Sequence, residues 1–179
     1  MRYKLFSISI CASLTLGISL MLSIPSAAFA QATVPAITGS TLDGKPFALN
    51  QTRGKATVLF FWTTDCAICR DKMAELRERS KQWKDKPFSM VLVNMDKRMQ
   101  DIDAYNSIIN RSVPEGERLP QLWALGKDYA DNLGTLETIK EQVSTELPLV
   151  YVIDKSGKVV ARHQGRFPAS VWQDVAGLF

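Results

Sequence analysis

Apolar and polar positions divide the chain into short blocks with recognisable periods. Thr57-Val58-Leu59-Phe60-Phe61-Trp62 is a continuous apolar run rich in β-branched and aromatic residues. Such a run predicts a central strand buried on both faces. Met90 to Met95 and Leu149 to Ile153 repeat the pattern. Between the first two runs, Cys69, Met73, Leu76, Ser80 and Trp83 recur at alternating spacings of four and three, opposite Arg70, Glu75, Arg77 and Glu78. This predicts an amphipathic helix from near Cys66 to about Lys84, ended by Pro87. A second helix is expected over Arg98 to Ile109, with Met99, Ile102, Tyr105 and Ile109 inward. Arg111 to Pro120 reads as a polar loop, Gln121 to Leu125 as a short strand, and Thr135 to Thr145 as a helix.

Turn chemistry supplies the connections. Asp43-Gly44 marks a hairpin within Ile37 to Leu49, and Lys155-Ser156-Gly157-Lys158 turns the third apolar strand back into Val159 to His163. Pro168 opens a last short helix, with Val171, Trp172 and Val175 packing it down. The order is hairpin, strand, helix, strand, helix, an extra segment, then strand, strand, helix. Crossover helices make the early strands parallel and the closing hairpin makes the sheet mixed, so an α/β fold is expected.

The first 30 residues read differently. Arg2 and Lys4 precede a stretch from Leu5 to Ala30 without a charge, ending Ser26-Ala27-Ala28-Phe29-Ala30. Small residues at Ala28 and Ala30 suit a signal peptidase, so residues 1–30 are read as a secretory signal cleaved after Ala30. The alternative is an uncleaved anchor, since residues 5–24 reach the roughly 20 residues a bilayer span requires. Residues 31–36 form a leader, and 37–179 the folded domain.

Composition narrows the function classes. Apolar residues make up 46% and charged residues 22% of the 179, which excludes a disordered or coiled-coil chain. A net charge of +4 without a Lys/Arg block is no nucleic-acid footprint. The single His, His163, excludes a multi-His metal site. Of the three cysteines, Cys11 leaves with the signal, so the exported chain keeps only Cys66 and Cys69. A bridge across two residues closes almost no loop and adds little stability.

Chemistry is the better reading of that pair. The start of a helix carries unpaired N–H groups and a partial positive charge, both favouring a thiolate. Cys66 at the tip would attack a disulfide; Cys69, one turn in, would resolve the mixed disulfide. Three alternatives stand beside this. A zinc knuckle lacks ligands. A Cu(I) site would need His163 close to the pair. A merely structural bridge is the third.

The run Phe60-Phe61-Trp62-Thr63-Thr64-Asp65-Cys66-Ala67-Ile68-Cys69-Arg70 resembles the active-site stretch of thioredoxin-fold proteins. Leu42 to Leu49 with Arg53-Gly54-Lys55, and Leu147 to His163, resemble the entry and closing segments of TlpA/ResA-like thiol–disulfide oxidoreductases. The resemblance spans about Ile37 to Val175. It implies a thioredoxin-like fold with an N-terminal β-hairpin and an extra segment before the strand that Pro148 opens. It also implies that Pro148 is a cis-proline beside the cysteines, presenting, with Leu147, a backbone edge to substrate. An ordinary trans Pro is the alternative. Trp62 would shape the rim of this docking site.

The implied activity is an exported, periplasmic oxidoreductase, in the direction of a reductase, acting on protein disulfides and dithiols. It needs no bound cofactor and no metal. A membrane protein carrying electrons outward would be the donor, and apocytochrome c is one candidate client. Departures bear on redox tuning. Asp65 precedes Cys66 where the family has a large residue, Ala67-Ile68 replaces a pair often containing Pro, and Lys72 stands where many relatives carry Glu. Asp65 is expected to cap the helix by accepting the Ile68 N–H, and to oppose a Cys66 thiolate that Arg70 favours. No carboxylate is evident to take a proton from Cys69. The rival functions are a thiol peroxidase and a copper-handling or other binding module.

Overall fold

The computed structural model describes residues 37–124 and 146–179. The signal, the leader and the expected Thr135–Thr145 helix lie outside them. Among the described residues no helix is long and apolar enough to cross a membrane.

Two short strands, β1 (Thr38–Ser40) and β2 (Pro46–Ala48), pair antiparallel around Gly44, whose φ of 79° is the conformation the Asp43-Gly44 turn requires. A 3-10 turn over Leu49–Thr52 leads into β3 (Ala56–Trp62). Then follow α1 (Ala67–Gln82), β4 (Phe88–Asn94), α2 (Met99–Ser112), β5 (Gln121–Trp123), β6 (Leu149–Ile153), β7 (Val159–Gln164) and α3 (Val171–Ala176). The expected loop over Arg111 to Pro120 contains one 3-10 turn at Glu115–Glu117. Helix α1 stops at Gln82, before the expected Pro87, with the Trp83 N–H still bonded to the Arg79 carbonyl.

The main sheet has the order β5-β4-β3-β6-β7. Strands β3, β4 and β5 run parallel; β6 pairs antiparallel with β3, and β7 with β6. All seven residues of β3 and all five of β6 are buried, which is why both strands read as unbroken apolar runs. Alternation within those runs assigns the two faces. Val58, Phe60, Trp62, Val150 and Val152 face α1 and α3, meeting Cys69, Met73, Leu76, Val171, Trp172 and Val175. Leu59, Phe61, Val91, Val93, Tyr151 and Ile153 form the opposite face, with Ile37 and Leu49 from the hairpin region packed on it. The fold is thioredoxin-like, with the mixed sheet and N-terminal hairpin that the residue pattern implies. The C-terminal end of β3 projects the cysteine loop from the middle of the sheet, which is the position the chemistry needs.

Candidate active site

Strand β3 ends at Trp62, and four residues later Cys66 begins the turn into α1. Cys66 is itself the N-cap. Its Sγ accepts the N–H of Cys69 at 3.2 Å, and its own N–H donates to the Thr63 carbonyl at 3.2 Å. The expected cap by Asp65 is therefore corrected: Asp65 is exposed and lies one residue too early, so the sulfur occupies the position that would have received a carboxylate. This places Cys66 where unpaired helix N–H groups and the positive end of the helix dipole converge.

Cys66 and Cys69 are joined as a disulfide. Cys66 is half-buried whereas Cys69 is fully buried among Met73, Leu76 and the β3 side chains. The two cysteines thus differ in access: Cys66 is partly open to solvent and Cys69 is not. Ile68, between them, is 52% exposed, an apolar side chain presented to solvent beside the pair.

The loop is fixed by a residue that sequence reading missed. Asp96, just past β4, is buried, and its carboxylate accepts the Thr64 N–H at 3.0 Å and the Thr64 hydroxyl at 3.1 Å. Asn94 Nδ2 donates to the same carboxylate at 2.7 Å, and the Asp96 N–H donates back to Asn94 Oδ1 at 2.8 Å. The Trp123 indole N–H donates to the Asp96 carbonyl at 2.8 Å, so β5 holds the network from the other side. Arg70, one turn into α1, donates from Nη1 to the Thr64 carbonyl. Both sides of the Thr64 peptide group are therefore clasped, one by a carboxylate and one by a guanidinium. No local pattern marks a partner 32 residues away; the apolar run Met90 to Met95 ends immediately before Asp96.

Trp62 differs from its expected place at the rim. It is fully buried, with its ring 5.0 Å from that of Tyr105 on α2, because its position on β3 points it under the helices. It supports the loop from beneath and offers no docking face. Leu147–Pro148 is cis. Phe61 pairs with Leu149, so continuing that register sets Pro148 across from Trp62, at the end of the sheet from which the cysteine loop projects. Leu147 is half-buried and Pro148 buried. The Pro148 carbonyl accepts the N–H of Gly165 at 2.8 Å. Gly165 has φ 72°, and a Cβ there would collide with the Glu146 carboxyl.

Lys72 and Glu75 pair at 2.8 Å on α1, and the Trp172 indole N–H donates to Glu75 Oε1. Burial alone would raise the Glu75 pKa, but the hydrogen bonds from Lys72 and Trp172 outweigh it and hold the carboxyl below its ordinary value. His163 sits half-buried on β7, paired with Val150 rather than grouped with other ligand types. Among the described residues no group of three or more His, Cys, Asp or Glu is arranged to hold a metal ion.

A family model described as Redoxin matches residues 27–178. Among curated proteins, "Thiol-disulfide oxidoreductase ResA" of Bacillus thuringiensis (strain Al Hakam) is 29% identical over 119 residues, covering 66% of this chain and 60% of that protein. The chain thus spans about 60% of the length of that relative. Among solved structures, the thioredoxin domain of a thiol-disulfide oxidoreductase from Bacteroides vulgatus superposes with TM-score 0.64 at 26% identity, over 82% of this chain and 95% of the other. A thiol:disulfide interchange protein of the thioredoxin family from Chlorobium tepidum gives TM-score 0.64 at 23% identity, over 83% and 96%. A partly open cysteine and a buried one at the start of the helix after the central strand agree with these likenesses: the chain belongs to the Redoxin family, in the TlpA/ResA-like branch of the thioredoxin superfamily.

Proposed function

We propose that this chain is an exported protein thiol–disulfide oxidoreductase working as a reductase, with Cys66 as nucleophile and Cys69 as resolving thiol. The observation that carries the reading is the unequal access of the two bonded cysteines at the N-terminus of α1. In the reduced protein the Cys66 thiolate attacks one sulfur of a substrate disulfide. That S–S bond breaks, one substrate cysteine leaves as thiolate, and a mixed disulfide forms on Cys66. The Cys69 thiolate then attacks Cys66 Sγ and releases the second substrate thiol, leaving the Cys66–Cys69 disulfide. Two electrons have passed to the substrate, and a dithiol donor must return them for another turn.

The donor we propose is a membrane protein that carries electrons outward, and apocytochrome c is the candidate client. Both come from kinship with the ResA-like branch. Export rests on the uncharged stretch from Leu5 to Ala30 and its Ala28-Phe29-Ala30 ending. Leu147 and Pro148 would meet the substrate backbone. Arg70 acts on the loop through Thr64, and Asp65 contributes an exposed charge next to the nucleophile.

Replacing Cys69 with Ser removes the resolving step, so substrate should stay bound to Cys66 as an adduct that dithiothreitol releases. Cys66→Ser should trap nothing. Equal trapping by both variants, or none by either, would overturn the assignment of roles.

A further inference from the structure

A cavity of about 790 Å³ is walled by the hairpin turn, Met73 and Arg77 of α1, α2 and the segment leading into β5, and neither cysteine lines it. Its volume falls within the range of small-molecule sites, which are mostly apolar with a few placed polar groups. Met73, Leu92, Ile109 and Leu119 supply apolar lining. Two guanidinium groups, Arg77 and Arg118, also line it.

Among the described residues neither arginine pairs with a carboxylate. Arg118 donates from Nε to the Val113 carbonyl at 3.1 Å and from Nη2 to the Asn110 carbonyl at 3.0 Å. Those bonds fix the plane of the head and leave its positive charge without an anion. Arg77 is half-buried and makes no hydrogen bond or ion pair with any described residue. The side chain is only half-buried, so its head stays within reach of an anion that enters the cavity. Tyr105, which lines the same wall, lies near enough to Arg77 to feel its charge. Of the carboxylates in the lining, Asp43 is engaged by Lys45 at 2.7 Å, which leaves Glu115 as the opposing charge. Three cationic and two acidic side chains give the cavity a net positive lining.

We propose that this cavity is a binding site for a small organic monocarboxylate, its carboxylate on Arg77 and its apolar body against Met73, Ile109 and Leu119. Arginine is suited to this because its planar fork donates two parallel hydrogen bonds to one carboxylate. The apolar lining selects a ligand with a hydrocarbon part over a bare ion.

Hexanoate serves as the probe, with hexanol carrying the apolar body without charge and inorganic phosphate the charge without the body. Titration of the full-length oxidised protein, followed by thermal melting and by amide chemical shifts, should show saturable stabilisation by hexanoate. Shifts should centre on Arg77, Tyr105 and Ile109. Arg77→Gln should weaken the apparent affinity by about tenfold or more, the loss expected for a charged hydrogen-bond pair. Glu115→Gln should strengthen it, because the opposing charge is removed. Hexanol binding as well as hexanoate, phosphate binding as well as hexanoate, an unchanged affinity in Arg77→Gln, or no saturable response would each overturn the proposal. Arg77→Lys keeps the charge without the fork and guards against a variant that fails to fold; it should bind more weakly than the parent and more tightly than Arg77→Gln.

Discussion

The two ends of α1 are held in different ways. At the Cys66 end, beside the disulfide and the buried Cys69, the loop is held by single hydrogen bonds: the Cys69 N–H to Cys66 Sγ, the Arg70 guanidinium to the Thr64 carbonyl, and the Thr64 N–H to Asp96. At the other end the contacts are rings. Trp83 lies 5.0 Å from Phe88, 5.8 Å from Trp172 and 5.1 Å from Phe179, all edge-to-face, and Trp172 continues the stack to Phe167 at 5.1 Å. Arg79 covers both tryptophans, its guanidinium carbon 5.9 Å from one ring centre and 5.6 Å from the other. Hydrogen bonds specify direction and break one at a time, whereas ring burial contributes in bulk. A site that must exchange one S–S bond for another needs the first kind of support. It can lose and remake one contact while the aromatic end keeps the helix on the sheet.

The largest effect is expected at the aromatic end. Trp172 is buried and touches both Trp83 and Phe167, so Trp172→Ala should lower stability by about 3–5 kcal/mol, the range for emptying such a site. Urea unfolding would measure it. Cys66 alkylation in the reduced, still-folded variant should proceed at the parent rate. A changed rate would mean that the two ends are coupled through the helix and that the contrast drawn between them is wrong.

A smaller effect on stability, with a larger one on reactivity, is expected at Asp96. Asp96→Ala leaves the Thr64 N–H and the Asn94 amide without their acceptor, costing about 1–3 kcal/mol for buried donors left unpaired. The loop that carries Cys66 then loses its anchor, and the alkylation rate of Cys66 should change. Asp96→Asn keeps one carbonyl acceptor and should give an intermediate result. If urea unfolding and alkylation both match the parent, hydrogen bonds are not what fixes this end.

Much of this was legible in the residues. Continuous apolar runs mark the three central strands to within two residues, because strands buried on both faces carry few polar positions, here Thr57 and Asn94 among the buried ones. The period of α1 and the helix-start position of the cysteines located the site. What was not legible was long-range. Thr64 and Asp96 are 32 residues apart, and Glu75 and Trp172 are 97 apart; neither pair has a local signature. Carboxylates are preferred at a helix cap, which points to Asp65, but a cysteine sulfur one residue later takes the Cys69 N–H instead. Trp62 is expected to shape the rim of the site, yet strand alternation turns it inward against Tyr105.

The smallest effect concerns Glu75, which joins the two halves of the contrast because its carboxylate receives Lys72 on α1 and the indole of Trp172 on α3. Burial pushes its pKa up, while the hydrogen bonds from Lys72 and Trp172, with the charges of Lys72 and Arg79, bring it below its ordinary value. The folded protein therefore holds this proton less tightly than the unfolded chain does. Its contribution to stability is fully present above the unfolded carboxylate pKa of about 4.3 and is lost as pH falls through the lower folded value. The side chain is 33% exposed, so the contribution should not exceed about 1 kcal/mol, the upper range for solvent-accessible ion pairs. Urea midpoints of the parent should fall below about pH 4 by more than those of Glu75→Gln, which keeps an acceptor for Trp172 but has no charge to titrate. Parallel pH profiles for the two proteins would show that the indole bond, rather than the charge, joins α1 to α3, and would move Glu75 from the electrostatic to the packing side of the comparison.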